Sequence, residues 1–368
     1  MGNRTGVLVI GGGPAGLAAA IAARKKGFSV IVADGAKPPI DKACGEGLLP
    51  GTLAALRELG ICIQTNDGEG FHQIRFIDGN LLATARFPHE GGIGVRRTLL
   101  HQKMAACAEE CGVGLLWSTP VTRMLKNGAL VGGEPIRAQW IVGADGIQSR
   151  VRHWSGLDTR ADRELRFAQR RHYRGKLLTD CVEIYWGRRI QAYVTPLAGD
   201  ETCVVLISRE PGMNFDLAFR EFPKLADRLR NAGLSSVQRG ALTETYRLDR
   251  VCRQNVALVG DASGSVDAIT GEGLGLSFRQ ALALADALEA GNLEEYQLAH
   301  RRLARRPYLI SRLLLVLDKF GPLRRRVMRG LAEDPDLFSG LLAAHVTETS
   351  SSFLAETSAR LGWRLITA

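Results

Sequence analysis

The sequence has no uninterrupted apolar run of about 18 residues, the length that a membrane-spanning helix requires, although 45% of its 368 residues are hydrophobic. We therefore expect no transmembrane helix. Three glycines and a proline interrupt the N-terminal apolar stretch, which does not have the pattern of a signal peptide. The length and the hydrophobic content are sufficient for one large domain, or two closely packed ones, with substantial cores.

Cysteine is sparse and scattered, with seven residues and no C-x-x-C pair. Cys107 and Cys111 lie four apart on a predicted helix, without a second pair or nearby histidines. This spacing predicts neither a disulfide framework nor a zinc site. We therefore expect no metal ion and a reducing, cytoplasmic environment.

Acidic residues are scarce near the C-terminus. The net charge is +10, and residues 301–329 contain ten Lys or Arg and a single acid, Asp318. A basic protein can bind nucleic acid, but the segment RRHYRGK (170–176), which mixes basic and aromatic residues, is too short to form such a surface. We expect no nucleic-acid partner.

The sequence opens with a glycine-containing motif, GVLVIGGGPAGLAAAIAARKKGFSVIVADG. Gly11, Gly13 and Gly16 form G-x-G-x-x-G between a predicted strand (6–10) and a predicted helix (17–26). The first glycine allows a tight turn, the second lets the backbone approach a pyrophosphate, and the third lets the helix pack closely on the sheet. The free N–H groups at the helix N-terminus then point at the phosphates.

A second predicted strand, 28–33, follows this helix and ends at Asp34, whose carboxylate is well placed to accept hydrogen bonds from a ribose. The strand, turn, helix, strand and terminal acid together predict a bound dinucleotide, either FAD or NAD(P).

Two further motifs favour FAD. GADGIQSRVR (143–152) follows a predicted strand at 140–144, and NVALVGDASGSVDAITGEGLGLSFRQALALADAL (255–288) combines a strand, a glycine-rich loop and a long helix. The three motifs resemble, over about residues 1–290, the FAD-dependent group that includes the para-hydroxybenzoate hydroxylase-like monooxygenases and the geranylgeranyl reductases. The resemblance implies an α/β fold with a Rossmann-like FAD-binding domain of the glutathione reductase 2 (GR2) type, an interleaved β-sheet substrate domain and a helical C-terminus.

The resemblance also implies roles for single residues. Asp34 and the glycines would hold the ADP half, Arg97 the phosphate region, and Asp261 the ribityl or ribose hydroxyls. The helix that begins after Gly271 would present N–H groups to the flavin, where a positive dipole end favours negative charge. A structural ion pair between Asp145 and Arg150 is the alternative to a cofactor role for Asp145. The full set of expected cofactor contacts is Gly11, Gly13, Pro14, Ala15, Gly16, Asp34, Gly35, Cys44, Gly45, Arg97, Val121, Asp145, Gly146, Asp261, Gly271, Gly273 and Leu274.

The chain is expected to form a discontinuous FAD-binding domain, a substrate-binding β-sheet domain and a C-terminal helical region. The FAD-binding domain comprises residues 1–70, 95–155 and 246–290. The substrate-binding domain comprises residues 71–94 and 156–245, and the helical region comprises residues 291–368.

The segments expected to cover the flavin are rich in strands. FHQIRFIDGNLLATARF (71–87) is a hairpin candidate with its turn at 78–80, and RFAQRRHYRGK (166–176) is a further strand candidate. In CVEIYWG the side chains of Val182, Ile184 and Trp186 share one face of the strand, and Glu183 and Tyr185 share the other. Simple sheet packing is the alternative to a pocket role for the aromatic residues. The expected substrate-pocket residues are Tyr185, Tyr193, Thr195 and Pro196.

The segment DKACGEGLLPGTLAALRELG (41–60) resembles a Cys-Gly-rich stretch that the geranylgeranyl reductases place against the flavin. Cys44 and Glu46 are therefore the candidate catalytic residues. A free cysteine is often a small buried hydrophobe, so contact between this loop's backbone and the flavin is the alternative.

Two reactions fit the resemblance. In one, NADPH or NADH reduces the flavin, and the reduced flavin activates oxygen to hydroxylate or epoxidise an aromatic, polyketide or other hydrophobic molecule. In the other, the reduced flavin delivers hydride to a carbon–carbon double bond. No second glycine fingerprint follows another strand, so the nicotinamide is expected to visit the flavin transiently. Reduction of the flavin by an external electron donor is the alternative.

The third motif departs from the hydroxylase pattern. Ser263 and Gly264 stand where hydroxylases usually carry Ala-His, Ala268 replaces a proline, and ITGEG (269–273) is more similar to the reductases. The chain nevertheless lacks a clear sequence signature of a lipid-length tunnel. We expect a monooxygenase, and the alternative is an ene reductase of a prenyl-type double bond. The third hypothesis is a flavin-holding, non-catalytic protein. The W-x-W-x-I-P motif of the halogenases is absent.

Residues 295–345 predict two or more helices with a break at Gly321-Pro322. These helices either cap the FAD domain with their arginines in water, or form a surface patch whose leucines enter lipid while the arginines meet anionic headgroups. The second alternative would place the protein at the inner membrane surface.

Overall fold

The computed structural model describes residues 4–88, 90–175, 180–346 and residue 360. The rest of the predicted C-terminal region beyond residue 346 lies outside these residues, as does Lys176 at the end of one strand candidate. No helix in the described part of the chain is long and apolar enough to cross a membrane.

The described chain mixes strands and helices in its first third and is strand-rich in its middle. The strands are β1 (Arg4–Ile10), β2 (Val30–Ala33), β3 (Gly47–Leu48), β4 (Glu69–Phe71), β5 (Gln73–Asp78), β6 (Leu81–Arg86), β7 (Gly92–Gly94), β8 (Gly114–Leu116), β9 (Val121–Leu125), β10 (Gly128–Val131), β11 (Glu134–Gly143), β12 (Ala161–Arg174), β13 (Cys181–Trp186), β14 (Ile190–Leu197), β15 (Glu201–Ser208), β16 (Gly233–Leu234), β17 (Arg239–Arg247), β18 (Cys252–Arg253) and β19 (Val256–Leu258). The helices are α1 (Pro14–Lys25), α2 (Pro50–Glu58), α3 (Arg97–Glu110), α4 (Arg150–Trp154), α5 (Phe215–Glu221), α6 (Pro223–Leu229), α7 (Gly273–Glu289), α8 (Leu293–Lys319), α9 (Gly321–Glu333) and α10 (Pro335–Val346).

The first layer is a mostly parallel sheet in the order β18-β19-β11-β1-β2-β8. β1 lies between β11 and β2 and pairs in parallel with both. Its residues 7–9 are fully buried, because the helices that connect parallel strands cover the sheet. The helices α1 and α7 pack against it in one hydrophobic core. The predicted Rossmann-like layer is confirmed.

The second layer is a mixed sheet in the order β16-β12-β15-β14-β13-β5-β6, with β17 beside β12. Its pairs are antiparallel except β13 with β5. All eight residues of β14 are buried because both faces are covered. The short helices α5 and α6 cover one face, and the other face turns toward the first layer and the C-terminal helices. The predicted hairpin forms at β5–β6, with Gly79 and Asn80 as its turn.

The C-terminal region forms three helices, α8 to α10, and the predicted break falls at Phe320, one residue before Gly321. Helices α9 and α10 close one end of the second sheet by packing Val327, Met328 and Leu331 against its apolar residues. The C-terminal helices therefore belong to the body of the fold.

His300 connects α8 to the first layer through a buried hydrogen-bond chain. Its Nε2 lies 3.0 Å from Ser263 Oγ and 3.0 Å from Gln280 Nε2, and Gln280 Oε1 accepts the N–H of Gly260 at 2.9 Å. Burial lowers the pKa of His300 from 6.5 to about 4. The neutral imidazole thus supports the turn that follows β19.

This arrangement predicts acid sensitivity with a defined window. Between pH 6.5 and about 4 the unfolded chain binds a proton at His300 that the folded chain excludes. The free energy of unfolding should therefore fall by about 3 kcal/mol from this group as the pH drops through that window. Urea unfolding at stepped pH should show a shallower pH slope for His300→Gln than for the parent chain. Equal slopes would contradict the assignment.

Candidate functional site

A single cavity of about 1180 Å³ extends between the two sheets and is lined by both layers and by α8 to α10. Small-molecule sites usually measure about 300–1,000 Å³. The cavity is therefore large enough for an extended cofactor together with a substrate.

The glycine turn after β1 forms one end of the cavity. Gly11 has φ +110°, and a Cβ built there would lie 2.4 Å from the carbonyl oxygen of Ala144. A Cβ on Gly16 would lie 1.9 Å from the carbonyl oxygen of Gly11, whereas a Cβ on Gly13 would meet no atom within 4 Å. The first and third glycines are thus required by packing, and the middle one faces open space, as a phosphate cradle requires.

Two side chains hold this turn in place. Asp34 accepts the N–H of Gly12 through Oδ2 at 2.6 Å and the N–H of Ala36 through Oδ1 at 2.7 Å. The buried His101 places Nε2 at 2.9 Å from the carbonyl oxygen of Gly12. Burial lowers the pKa of His101, so the neutral ring donates this bond. His101 was missed from the sequence, although it lies one helical turn after Arg97 on α3.

Arg97 supplies an unpartnered donor in the cavity wall. Its Nε is buried and has no hydrogen-bond partner among the described residues. Buried polar atoms are nearly always paired in native proteins. A bound anionic group would pair with this guanidinium, so the cradle at Gly13 and the donor at Arg97 both fit a dinucleotide diphosphate.

Asp145 lies after β11 and caps the short helix α4. Its carboxylate accepts the Ser149 hydroxyl and the backbone N–H groups of Arg150 at 2.7 Å and Val151 at 3.1 Å. The guanidinium of Arg150 instead stacks over Trp154 at 4.7 Å. The suggested side-chain ion pair between Asp145 and Arg150 is therefore not formed; the connection runs through the backbone.

Residues of the third motif also line the cavity. Gly271 has φ +65° and ends a short turn, α7 begins at Gly273, and Gly271, Gly273 and Leu274 line the cavity. Asp261 lies beside Lys42, with 3.4 Å between Oδ2 and Nζ. Helix N-termini stabilise negative charge, so this wall fits the polar edge of a flavin.

The loop before β3 carries Cys44 and Glu46. The Cys44 thiol is half-buried and lines the cavity. Glu46 is buried and has φ +59°, a conformation that a non-glycine residue adopts only when its surroundings enforce it. Its carboxylate accepts a hydrogen bond from the backbone N–H of Arg97 at 3.0 Å. The same carboxylate lies 3.1 Å from Arg170 Nη1 and 2.7 Å from His172 Nε2.

Arg170 also binds Asp41 through two contacts of 2.8 and 3.0 Å. Burial alone would raise the pKa of Asp41, but the hydrogen bonds and charge of Arg170 hold it below its usual value. The network of Glu46, Arg170, His172 and Asp41, here called the ionic clamp, thus ties the Cys44 loop to β12. The carboxylate of Glu46 is engaged in structure on three sides.

Glu46, His172 and Cys203 also bring three potential metal-ligand atoms within 4.8 Å of one another. Burial raises the pKa of the Cys203 thiol well above its usual value, and the Arg170 cation already pairs with Glu46. A protonated thiol and a neighbouring cation both disfavour a metal ion.

The second sheet contributes two of the four expected pocket residues. Tyr193 and Thr195 line the cavity, as do Val182 and Ile184 of the neighbouring strand. The hydroxyl of Tyr185 lies instead on the opposite face, 2.9 Å from Glu183 Oε2, and Pro196 is likewise not among the lining residues. Successive strand residues alternate between faces, so these residues cannot share one pocket.

The remaining cofactor candidates, except Gly16, also line the cavity, as do Cys44 and Glu46. Far from the glycine turn the lining is apolar and comes from both the second sheet and the C-terminal helices. It includes Ile74, Phe76, Val182, Ile184, Val205, Ile207, Leu314, Leu317, Val327, Leu331, Phe338, Leu341 and Leu342. Sequence analysis missed this chamber, because its residues come from segments far apart in the chain.

Residues 4–169 match the model of the FAD binding domain family. The chain is 26% identical to a menaquinone reductase of Mycolicibacterium smegmatis over 89% of each chain. It is 28% identical to digeranylgeranylglycerophospholipid reductase 1 of Methanothermobacter thermautotrophicus, over 81% of this chain and 80% of the relative. It is also 28% identical to a ubiquinone hydroxylase of Rhodospirillum rubrum, over 77% of this chain and 72% of the relative.

Solved structures show the same fold. A flavoprotein/dehydrogenase from Cytophaga hutchinsonii superposes with a TM-score of 0.80 over 93% of this chain and 92% of its own, at 19% identity. A geranylgeranyl bacteriochlorophyll reductase-like protein from Thermoplasma acidophilum superposes with a TM-score of 0.76 over 99% of this chain and 98% of its own, at 19% identity. These matches and the family model confirm the predicted fold class and FAD as the cofactor.

The two glycines of the first turn should respond differently to the same substitution. Gly13→Ala meets no protein atom, so the free energy of unfolding without FAD should stay within about 0.5 kcal/mol of the parent value. The added methyl group would occupy the phosphate cradle, at a cost of about 1–3 kcal/mol, and FAD affinity should fall about 10- to 100-fold. Gly16→Ala should lower stability even without FAD. Flavin fluorescence titration measures the FAD affinity, and urea unfolding measures the free energy of unfolding. Equal behaviour of the two variants would refute the assignment of Gly13 to a phosphate cradle.

Glu46→Gln should test the ionic clamp. The substitution keeps the side-chain shape but removes the charge that faces Arg170 and His172, so the free energy of unfolding should drop by about 3 kcal/mol and FAD should bind more weakly. The pH dependence of flavin reduction by NADPH should keep its shape, because the carboxylate is not a proton carrier. A changed pH profile with unchanged stability would instead make Glu46 an acid or base. Arg239→Gln, which removes an exposed contact with Asp41, is the control and should have little effect.

Proposed function

We propose that this chain reduces a carbon–carbon double bond in a long apolar molecule of isoprenoid type. The chain is an FAD-dependent oxidoreductase with an FAD-binding domain over residues 4–169. NADPH or NADH would be the transient reductant. Hydroxylation, which the sequence favoured, is retained below as the second candidate.

The apolar chamber carries this proposal. It continues the cavity away from the glycine turn, and its walls are branched aliphatic and aromatic side chains from the second sheet and from α8 to α10. The sequence shows no clear signature of a lipid-length tunnel. The apolar lining of the chamber nevertheless supports a hydrocarbon chain as the substrate.

Bound FAD would supply the two-electron transfer, and the chain would hold it at three places. The glycine turn and Arg97 would bind the diphosphate, and the N–H groups at the start of α7 would stabilise negative charge on the ring. The ionic clamp would hold Cys44 against the ring. These roles follow from the position of each group along the same cavity.

Reduction of a double bond adds a hydride to one carbon and a proton to the other. Tyr193 lines the cavity and has a hydroxyl proton at neutral pH, although burial raises the pKa of this hydroxyl well above the usual value and so makes it a weaker acid. Its hydroxyl donates a hydrogen bond to Gln191 Oε1 at 3.0 Å, and this bond would have to be exchanged for one to the substrate when the proton is transferred. We assign Tyr193 as the proton donor, with the Cys44 thiol as the other candidate.

The names of two relatives support the same substrate class. One is a menaquinone reductase and the other a digeranylgeranylglycerophospholipid reductase, and each matches this chain over about four-fifths or more of its length. The name of the second specifies a geranylgeranyl lipid. The similarity at 26–28% identity supports a lipophilic substrate without naming the molecule.

Hydroxylation of an apolar ring compound is the second candidate. The ubiquinone hydroxylase relative supports it, and so does His345, which lines the cavity with Nε2 at 3.0 Å from the carbonyl oxygen of Thr270. A ring that donates from Nε2 keeps Nδ1 as a proton acceptor, which could activate a phenol. A flavin-holding role without catalysis would show no turnover with either class of substrate.

The test is a product analysis of the FAD-loaded protein with NADPH and a geranylgeranyl lipid. Reduction should proceed without oxygen and add two hydrogen atoms per NADPH consumed. Tyr193→Phe should lower kcat at least about 100-fold, because it removes a general acid, while KM changes little. Hydroxylation would instead require oxygen and place an atom of ¹⁸O₂ in the product, and that result would overturn the proposal.

Tyr185→Phe provides the matched control for Tyr193→Phe. The two tyrosines are both buried, and they lie on adjacent strands but on opposite faces of the sheet. Turnover by Tyr185→Phe should stay close to the parent value. Equal losses in both variants would assign the effect to the sheet rather than to a proton donor.

A further inference from the structure

The outer face of α8 and the start of α9 expose a row of large apolar side chains. Leu309, Leu313, Val316, Phe320 and Leu323, here called the apolar stripe, are between 38% and 59% exposed. Leu309, Leu313 and Val316 are four and three residues apart, which places them on one side of α8, and Phe320 follows at its C-terminal end. Single exposed leucines are ordinary, but a contiguous row of this kind marks an interaction surface.

The apolar stripe lies among positive charges. Arg302, Arg305 and Arg312 on α8 and Arg325 and Arg329 on α9 are all exposed. The single acid between residues 301 and 329, Asp318, is buried, with Oδ2 at 2.8 Å from an Arg209 nitrogen. The surface is therefore apolar and cationic, and no carboxylate from this segment offsets it.

The same stripe contains the mouth of the cavity. Leu309 and Leu313 are strongly exposed and also line the cavity, and Leu242 of β17 shares both properties. Arg302 and Arg305 line it as well. A cavity that opens to water would gain nothing from leucines at its rim, whereas an opening against hydrocarbon would bury them.

We infer that the apolar stripe docks on the surface of an anionic lipid bilayer and that apolar substrate reaches the cavity from the bilayer through the mouth at Leu309, Leu313 and Leu242. The leucines and Phe320 would lie among the acyl chains, and the arginines would contact the headgroups. The passage of substrate rests on the proposed function; the docking does not. No described helix could span the bilayer, so the contact is peripheral.

Charge selects this partner over a second copy of the chain. Two copies related by a twofold axis through the stripe would bring like-charged arginines together, which is unfavourable without intervening acids. Anionic headgroups would neutralise those arginines, and each basic residue near such a surface contributes about fivefold to the binding constant.

The experiment is flotation of the FAD-loaded full chain with phosphatidylglycerol and with phosphatidylcholine vesicles, at low and high salt. We expect binding to the anionic vesicles that weakens as salt rises. Val316→Asp/Phe320→Asp, two stripe positions that do not line the cavity, should abolish binding. Arg312→Ala/Arg325→Ala should weaken it about 25-fold, from about fivefold per residue. Leu217→Asp/Val237→Asp, at exposed apolar positions elsewhere, is the matched control and should bind normally.

A turnover assay separates docking from catalysis. Val316→Asp/Phe320→Asp should still convert a short-chain, water-soluble substrate, but should lose turnover of a long-chain substrate embedded in vesicles. The docking proposal would be overturned by no binding to anionic vesicles, by equal binding of the Asp variant, or by a dimer that this variant dissociates. Vesicle binding without turnover of any substrate would leave docking supported and reject only the proposed function.

Discussion

The arrangement of the site depends on the ionic clamp, which joins the two layers of the fold. Arg170 and His172 belong to the long strand β12 of the second sheet, and Glu46 belongs to the loop that crosses from the first. A buried carboxylate is costly unless it is paired. Because these three groups satisfy one another, the Cys44 loop adopts one position, and Glu46 is held in a backbone conformation that its residue type ordinarily avoids.

The cavity between the two layers that the clamp joins has two kinds of wall. On the side of the first layer the lining is backbone and charge: the glycine turn, the unpartnered Arg97 Nε and the start of α7. On the side of the second layer it is aliphatic and aromatic. A polar cofactor and an apolar substrate can therefore bind side by side, and the polar groups face the cofactor while the apolar walls exclude water from the reacting atoms.

The C-terminal helices have features of both alternatives that the sequence raised, the helical cap and the proposed membrane-binding patch. Their inner faces close the apolar chamber, as a helical cap would, and His300 ties α8 to the turn after β19. Their outer face carries the apolar stripe and the exposed arginines. A helix can have both properties because its two sides are independent, and the amphipathic pattern of α8 alone did not indicate which leucines faced inward.

The local sequence is sufficient to predict the first layer. The strand, glycine turn, helix and terminal acid lie within about 30 residues, and local sterics require glycine at two of the three motif positions, so Gly11, Gly13, Gly16 and Asp34 predict a bound dinucleotide. The motifs at 143–152 and 255–288 were needed to favour FAD over NAD(P). The strand pattern also predicted two faces for β13. It did not indicate which face is covered by what, and for that reason Tyr185 and Tyr193 were assigned to the same pocket.

The clamp, the apolar chamber and its mouth arise from packing between segments that are distant in the chain. Glu46 meets Arg170 and His172 across separations of 124 and 126 residues, and the chamber combines side chains from strands and helices that are distant in the chain. Such contacts depend on how whole layers pack against each other. The residues next to each contact in the sequence do not indicate this packing. The cofactor could therefore be predicted from three short motifs, because each is formed by residues close together in the chain, whereas the shape that selects the substrate emerged only when the two sheets and the C-terminal helices were brought together.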